Sequence, residues 1–259
     1  MKIIVLVKQV PDTWGDRKLS PATGVLNREA SEPVIDEIDE RALEVALSYK
    51  DSNDAEVVAV AMGPASATAV LRKALSMGAD SALHLLDDEL SGSDVGWTAT
   101  ALAAVLTKSG FDLVIAGSES TDGRGGVIPA MVAEHLRVPH LTFLQSAEIM
   151  PDSVAGQRAT ENGTISVHAL LPAVISVTER SAEPRFPNFK GIMRAKKKPL
   201  DVLSLADVGI DSTVAFAGLG HSVVLAISER PARTAGRKIV DAGNAGNDLA
   251  EFLATRHLI

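Results

Sequence analysis

The sequence predicts an α/β protein built on a doubly wound, mostly parallel sheet, with an added β-hairpin and an extended C-terminal arm. Three observations carry this. Short apolar runs, IIVLV (3–7), VVAVAM (57–62), ALHLL (82–86) and DLVIAG (112–117), recur along the first half of the chain. Their unbroken rather than alternating hydrophobicity marks strands covered on both faces. Segments of helical spacing separate them, and the composition, 46% apolar with only 3% aromatic over 259 residues, suits such a core. A compact chain of this length buries roughly 70–75% of its extended surface.

Each helix carries its own start and stop. Asp36 precedes an acidic first turn (Glu37, Asp39, Glu40) and a stripe of Ile38, Ala42, Val45 and Ala46, which predicts a helix over about 36–50. Gly63-Pro64 opens a second, with Val70, Leu71 and Leu75 on one face and Gly78 to end it. Residues 91–94 offer caps for a third, bearing Leu102, Val105 and Leu106 and ending at Gly110. A fourth follows the glycine-rich stretch, over about 127–136. Beyond residue 140 the pattern changes. Asn162-Gly163 between two strand-like runs is a hairpin signal, and PAVISVT (172–178) is a further buried strand. Residues 1–200 are therefore expected to form the α/β domain. Residues 201–259, including HSVVLAIS (221–228) and a last amphipathic helix with Leu249, Phe252 and Leu253, have too few apolar positions for a core and are expected to be an arm packed on something else.

Composition also excludes chemistry. The chain has no cysteine, so disulfides, thiolate metal sites and Cys nucleophiles are out. The opening MKIIVLVKQV is too short in apolar length for a signal-peptide core, and the reading is cytoplasmic and not integral to a membrane. With 33 acids against 25 bases, nucleic acid is disfavoured as the main ligand. The six histidines are scattered without metal-ligand spacing, and Ser118 and Ser120 have no evident base, so no self-contained catalytic site is expected.

Ligands of an open α/β sheet bind beyond the carboxyl ends of its strands. Three segments leave such ends: KQVPDT (8–13), GPAS (63–66) and GSESTDGRGG (117–126). The last feeds glycines and hydroxyls into a helix N-terminus, a cradle for a phosphate or a plain solvent-exposed turn, without the spacing of either common phosphate motif. Asp122 there could bond a ribose or make an Asx-turn.

Residues 184–198, PRFPNFKGIMRAKKK, hold six cations and no acid, interleaved with Phe186, Phe189, Ile192 and Met193. A solvated charge run, a localisation tract or a nucleic-acid patch would not need the hydrophobes. Hydrophobic anchors in a proline-stiffened, cation-ringed loop suit docking onto an acidic-rimmed protein.

These residues resemble the β subunit of electron-transfer flavoproteins. The matching stretches are VKQVPDT (7–13), VIDEIDERALEVAL (34–47), MGPASATAVLRKALSMGAD (62–80), DLVIAGSESTDG (112–123), LPAVISV (171–177), EPRFPNFKGIMRAKKK (183–198) and PARTAG (231–236). The resemblance implies an adenine-nucleotide-binding, Rossmann-like fold and an electron carrier rather than an enzyme, with FAD held mainly by an α subunit and the arm reaching onto that partner. It implies electrons taken from acyl-CoA dehydrogenases and passed to a quinone oxidoreductase. Docking would use Pro184, Arg185, Phe189 as the anchor, Ile192, Met193, Lys196, Lys197 and Lys198. A second nucleotide, AMP in ordinary members and FAD in electron-bifurcating ones, would contact Leu6, Asp36, Glu37, Ile38, Asp39, Met62 and the loop Gly117, Ser118, Glu119, Ser120, Thr121, Asp122, Gly123, Arg124, Gly125, Gly126, Val127 and Ile128. Ordinary members read like AIDDDCNQT there and bifurcating ones like AIDGDTAQVGP, whereas this chain reads SESTDGRGGVIP, which leaves backbone N–H groups and Arg124 to hold a phosphate. AMP is favoured. A stand-alone adenine-nucleotide-binding stress or signalling module is the competing reading.

Overall fold

A computed structural model describes residues 1–15, 17–211, 222, 224–233, 235–236, 238 and 240–259. Most of the arm's expected run at 221–228 is described, but His221 and Val223 lie outside, as does Thr234 of PARTAG. In chain order the elements are β1 (Lys2–Leu6), β2 (Gln9–Pro11), β3 (Pro33–Ile35), α1 (Glu37–Lys50), β4 (Glu56–Met62), α2 (Thr68–Met77), β5 (Ser81–Leu85), α3 (Val95–Ser109), β6 (Leu113–Gly117) and α4 (Ile128–Leu136). They continue with β7 (His140–Ile149), β8 (Ser153–Thr160), β9 (Gly163–Leu170), β10 (Ala173–Val177), α5 (Phe189–Ala195), β11 (Leu200–Leu203) and α6 (Ala245–Thr255).

A nine-stranded sheet runs β11-β5-β4-β1-β6-β10-β7-β8-β9. It is parallel from β11 to β7, and β8 and β9 add antiparallel. Strands β4, β6 and β10 are buried along nearly their whole length, as unbroken apolar runs require. Alternate residues serve opposite faces. On β1, Ile3 and Val5 pack with Leu43 and Leu47 of α1 and Leu71 and Leu75 of α2, while Ile4 and Leu6 pack with Trp97 and Leu106 of α3 and Val132 of α4. Sheet order reverses between β1 and β6, so their carboxyl ends border the crevice where doubly wound sheets bind ligands.

The punctuation works as the residues predict. The Asp36 carboxylate accepts from Ile38 N (2.9 Å) to cap α1, and Asp94 accepts from Trp97 N to cap α3. Gly78 (φ 148°) and Gly110 (φ 67°) end α2 and α3 in conformations that L side chains resist. The hairpin closes through Glu161 and Asn162, with Gly163 at φ 132° opening β9.

Three features depart from expectation. β7 lacks a continuous apolar run; its mixed burial and its bulge, with Phe143 at φ 59°, reflect a strand passing from the core to a half-exposed ribbon. β2 and β3 pair as a separate antiparallel ribbon of three residues each. The basic segment is not all loop: Asn188 accepts from Gly191 N (2.8 Å) and caps helix α5.

Residues 201–203, at the start of the expected arm, continue from Leu200 as β11 at the sheet edge, and Leu205 is buried beside α3 residues. Residues 226–259 form a second unit, in which α6 has no buried residue. Among the described residues no helix is long and apolar enough to cross a membrane.

Candidate functional site

The crevice between β1 and β6 gathers acids that lie far apart in sequence. Asp39, on the first turn of α1, accepts from Lys8 N (2.8 Å) and from Gly117 N (3.1 Å), joining the two strand ends. Only glycine fits at 117, because a Cβ there would lie 2.5 Å from Asp39 Oδ1. Asp36, fully buried, gives its second oxygen to Thr121 N (2.7 Å) and Thr121 Oγ1 (2.8 Å), which pins the loop after β6 to the α1 N-terminus.

Burial pushes the Asp39 pKa well above the carboxylate range, and the nearby Asp36 charge adds to it, against the two backbone donors and Lys8. The folded state therefore binds this proton more tightly than the unfolded chain. The resulting penalty fades as pH falls through the raised value, so Asp39 resists rather than drives acid unfolding.

Asp122 is the opposite case. Burial raises its pKa, but the hydrogen bond and charge of Lys8, then Ser120 and Arg28, hold it down to about 2. Lys8 Nζ donates to Asp122 Oδ1 (2.8 Å) and Ser120 Oγ (3.1 Å), and Arg28 donates to Asp122 Oδ2 (3.1 Å). Gly123 N also donates to it (2.6 Å). Its carboxylate thus already accepts from three protein donors, Lys8, Arg28 and Gly123 N.

Beyond Asp122 the loop turns into a helix start. Arg124 at φ 49° and Gly126 at φ 68° turn the backbone into the N-terminus of α4. At Gly126 a Cβ would also come within 3.3 Å of the Phe143 ring, a tight approach added to the positive φ. Among the described residues none accepts from the N–H groups of Gly125, Gly126, Val127 or Ile128. Amides without an acceptor at a helix start are groups a phosphate could use. Leu6 and Met62 end neighbouring strands, and Glu37 is exposed on the α1 rim. Lys8, Arg17 and Arg28 were not singled out from the sequence; the position of Lys8 just past a buried strand was the available signal.

The second surface is α5. Phe186 (95% exposed), Phe189 (77%), Ile192 (47%) and Met193 (50%) form an uncovered apolar patch, with Lys196 and Lys197 exposed beside it. Its mounting is rigid. Gly191 rests against α2 so closely that a Cβ would lie 2.4 Å from Ser76 O. Arg72 donates to the carbonyls of Ala195 (2.8 Å) and Lys198 (3.0 Å), and Lys198 Nζ donates to those of Leu75 (3.1 Å) and Ala79. Arg185 is committed too, to Glu44 (2.7 and 2.8 Å) and Asp51 (2.8 and 3.2 Å) on α1. Burial raises the Glu44 pKa, but Arg185 outweighs it and holds the carboxyl below its ordinary value. Burial lowers the Lys198 pKa.

Fold and crevice define a doubly wound α/β protein whose open switch point, among the described residues, lies between the carboxyl ends of β1 and β6. The Electron transfer flavoprotein domain model matches residues 23–208. The chain is 50% identical over 263 residues to Electron transfer flavoprotein subunit beta of Mycobacterium bovis, covering 99% of each chain. It is 34% identical to the protein of the same name from Thermoanaerobacterium thermosaccharolyticum over all of both chains. It is 32% identical to Caffeyl-CoA reductase-Etf complex subunit CarD of Acetobacterium woodii, covering 99% of this chain and 97% of that one. The chain belongs to the electron transfer flavoprotein family, as a β-type subunit.

Proposed function

We propose that this chain pairs with an α subunit in the cytoplasm as an ordinary, non-bifurcating electron carrier. It takes electrons from acyl-CoA and other flavin dehydrogenases and delivers them to a membrane quinone oxidoreductase. FAD, held mainly by the α subunit, supplies the redox chemistry. This chain's own residues bind, orient and dock. The observation that carries the reading is the apolar patch of Phe189, Ile192 and Met193 on a helix fixed to α2. A preformed anchor loses little entropy on binding, and Lys196 and Lys197 beside it would steer an acidic-rimmed partner. Arg185 also ties the segment to α1 and Lys198 ties it to α2, with Pro184 beside Arg185 in the same docking segment.

AMP would sit at the switch point, its phosphate on the amides of residues 125–128 with Arg124, and its other contacts among Leu6, residues 36–39, Met62 and residues 117–123. Of residues 201–259, the part beyond β11 and Leu205 would extend onto the α subunit.

The test is to co-express the chain with its α subunit, purify and denature the complex, and count the released nucleotides. One FAD and one AMP per heterodimer is expected. Two FAD would replace this reading with electron bifurcation, and a colourless chain that never engages an α subunit would replace it with a stand-alone nucleotide-binding module.

A further inference from the structure

Residues 12–32 leave the carboxyl end of β1, through β2, and return through β3 to the α1 N-terminus. The excursion is zipped on itself. Asp12 N donates to Glu32 O (2.9 Å), Asn27 N to Lys18 O (2.8 Å) and Ser20 N to Val25 O (2.8 Å), and Gly15 lies so near Ser31 that a Cβ would come within 2.6 Å of it. None of its described residues is buried, so apolar packing does not hold it down.

What holds it is a polar clasp to the loop after β6, on the far side of the switch-point crevice. Arg17 donates to Thr121 O and Thr121 Oγ1 (3.0 Å), and Arg28 donates to the buried Asp122 carboxylate (3.1 Å). The clasp therefore ties the loop leaving β1 to the loop leaving β6, across the mouth between them. Among the described residues Arg17 Nε is buried without an acceptor, a desolvation penalty that lifting the segment relieves. A segment with no buried described residue, tied across the crevice by polar contacts such as these, belongs to the part of a fold that opens locally.

We propose that residues 12–32 are a strap that retains the bound nucleotide, and that the Arg28–Asp122 pair, with Arg17, sets how slowly that nucleotide leaves. The proposal rests on the reading that a mononucleotide occupies this crevice. Arg28 is a positioning residue: it acts by keeping the strap shut. The Asp36–Thr121 bonds keep the phosphate loop itself in place when the strap opens.

The test uses the purified heterodimer with its co-purified AMP, challenged with excess isotopically labelled AMP, with exchange followed by mass spectrometry. Arg28→Ala is expected to exchange at least about fivefold faster than wild type, the scale of one partly exposed ion pair to a buried carboxylate. Arg28→Gln, which keeps the stem, carries the same expectation, and Arg28→Lys lies between. Salt should speed exchange in the wild type and not in Arg28→Ala, while FAD content stays unchanged; a merely structural loss would not separate these. Equal exchange in Arg28→Ala, Arg28→Gln and wild type overturns the strap alone. A wild-type complex that releases no AMP on denaturation overturns the nucleotide reading and the strap with it.

Discussion

At the switch point, Lys8 and Asp122 stand 114 positions apart in the chain yet meet at 2.8 Å, whereas the α5 patch is drawn from one short run, Phe186 to Met193. The first surface is polar, largely buried and balanced charge by charge; the second is apolar and uncovered. They also differ in what fixes them. The crevice is fixed by carboxylates that accept backbone N–H groups from several elements, so its geometry and the stability of the sheet are one property. The patch is fixed by its back, through Gly191, Arg72 and Lys198, which leaves its front free of any structural duty. Substitutions at the crevice should therefore be felt as unfolding, and those on the patch only as lost docking.

The largest expected effect is at Gly117. Gly117→Ala forces a Cβ into Asp39 in a filled core, which should cost about 3 kcal/mol by denaturant titration and release the proposed AMP. A loss below about 1 kcal/mol would show that the close approach is not what joins β6 to α1.

Arg185→Ala comes next and tests whether the patch and the core are separable, because Arg185 ties the α5 segment to α1. Removing it leaves Glu44 with little compensation, at about 2 kcal/mol at neutral pH, less than a fully buried pair because both Arg185 and Asp51 reach solvent. The sign with pH follows from the lowered Glu44 value. The pair's contribution is complete above the ordinary carboxylate range and is lost as pH falls through the folded-state value, so wild type and variant should converge in acid. A gap that persists unchanged into acid would instead mean that Arg185 acts through packing.

Phe189→Ala should leave stability unchanged, since the ring is 77% exposed, and slow dehydrogenase-dependent flavin reduction about tenfold. Unchanged rates would remove the anchor role. Lys196→Ala is the smallest, about twofold at low ionic strength and indistinguishable from wild type in high salt, because a rim charge acts on encounter.

Much of this was legible in the residues. The four apolar runs became β1, β4, β5 and β6, and Asp36, Gly78, Asp94 and Gly110 stand at the helix ends they mark. The glycine-rich loop does feed α4, and the apolar residues among the cations are exposed. β7 was missed because a strand that leaves the core carries no unbroken hydrophobic run. The helical form of α5 was missed because seven residues with a glycine inside give little periodicity.

Sequence alone determined which segments are strands, where the helices begin and end, the absence of thiol chemistry, and the cationic, apolar character of 184–198, because these depend on neighbours within a turn or two. Tertiary structure decided the rest. It spends Asp122 on Lys8 and Arg28, turns Arg185 and Lys198 inward as fasteners, and brings Arg17 to Thr121 of the loop after β6. Those outcomes depend on which charges a burial-driven fold brings within hydrogen-bond distance, and separation along the chain carries no record of that.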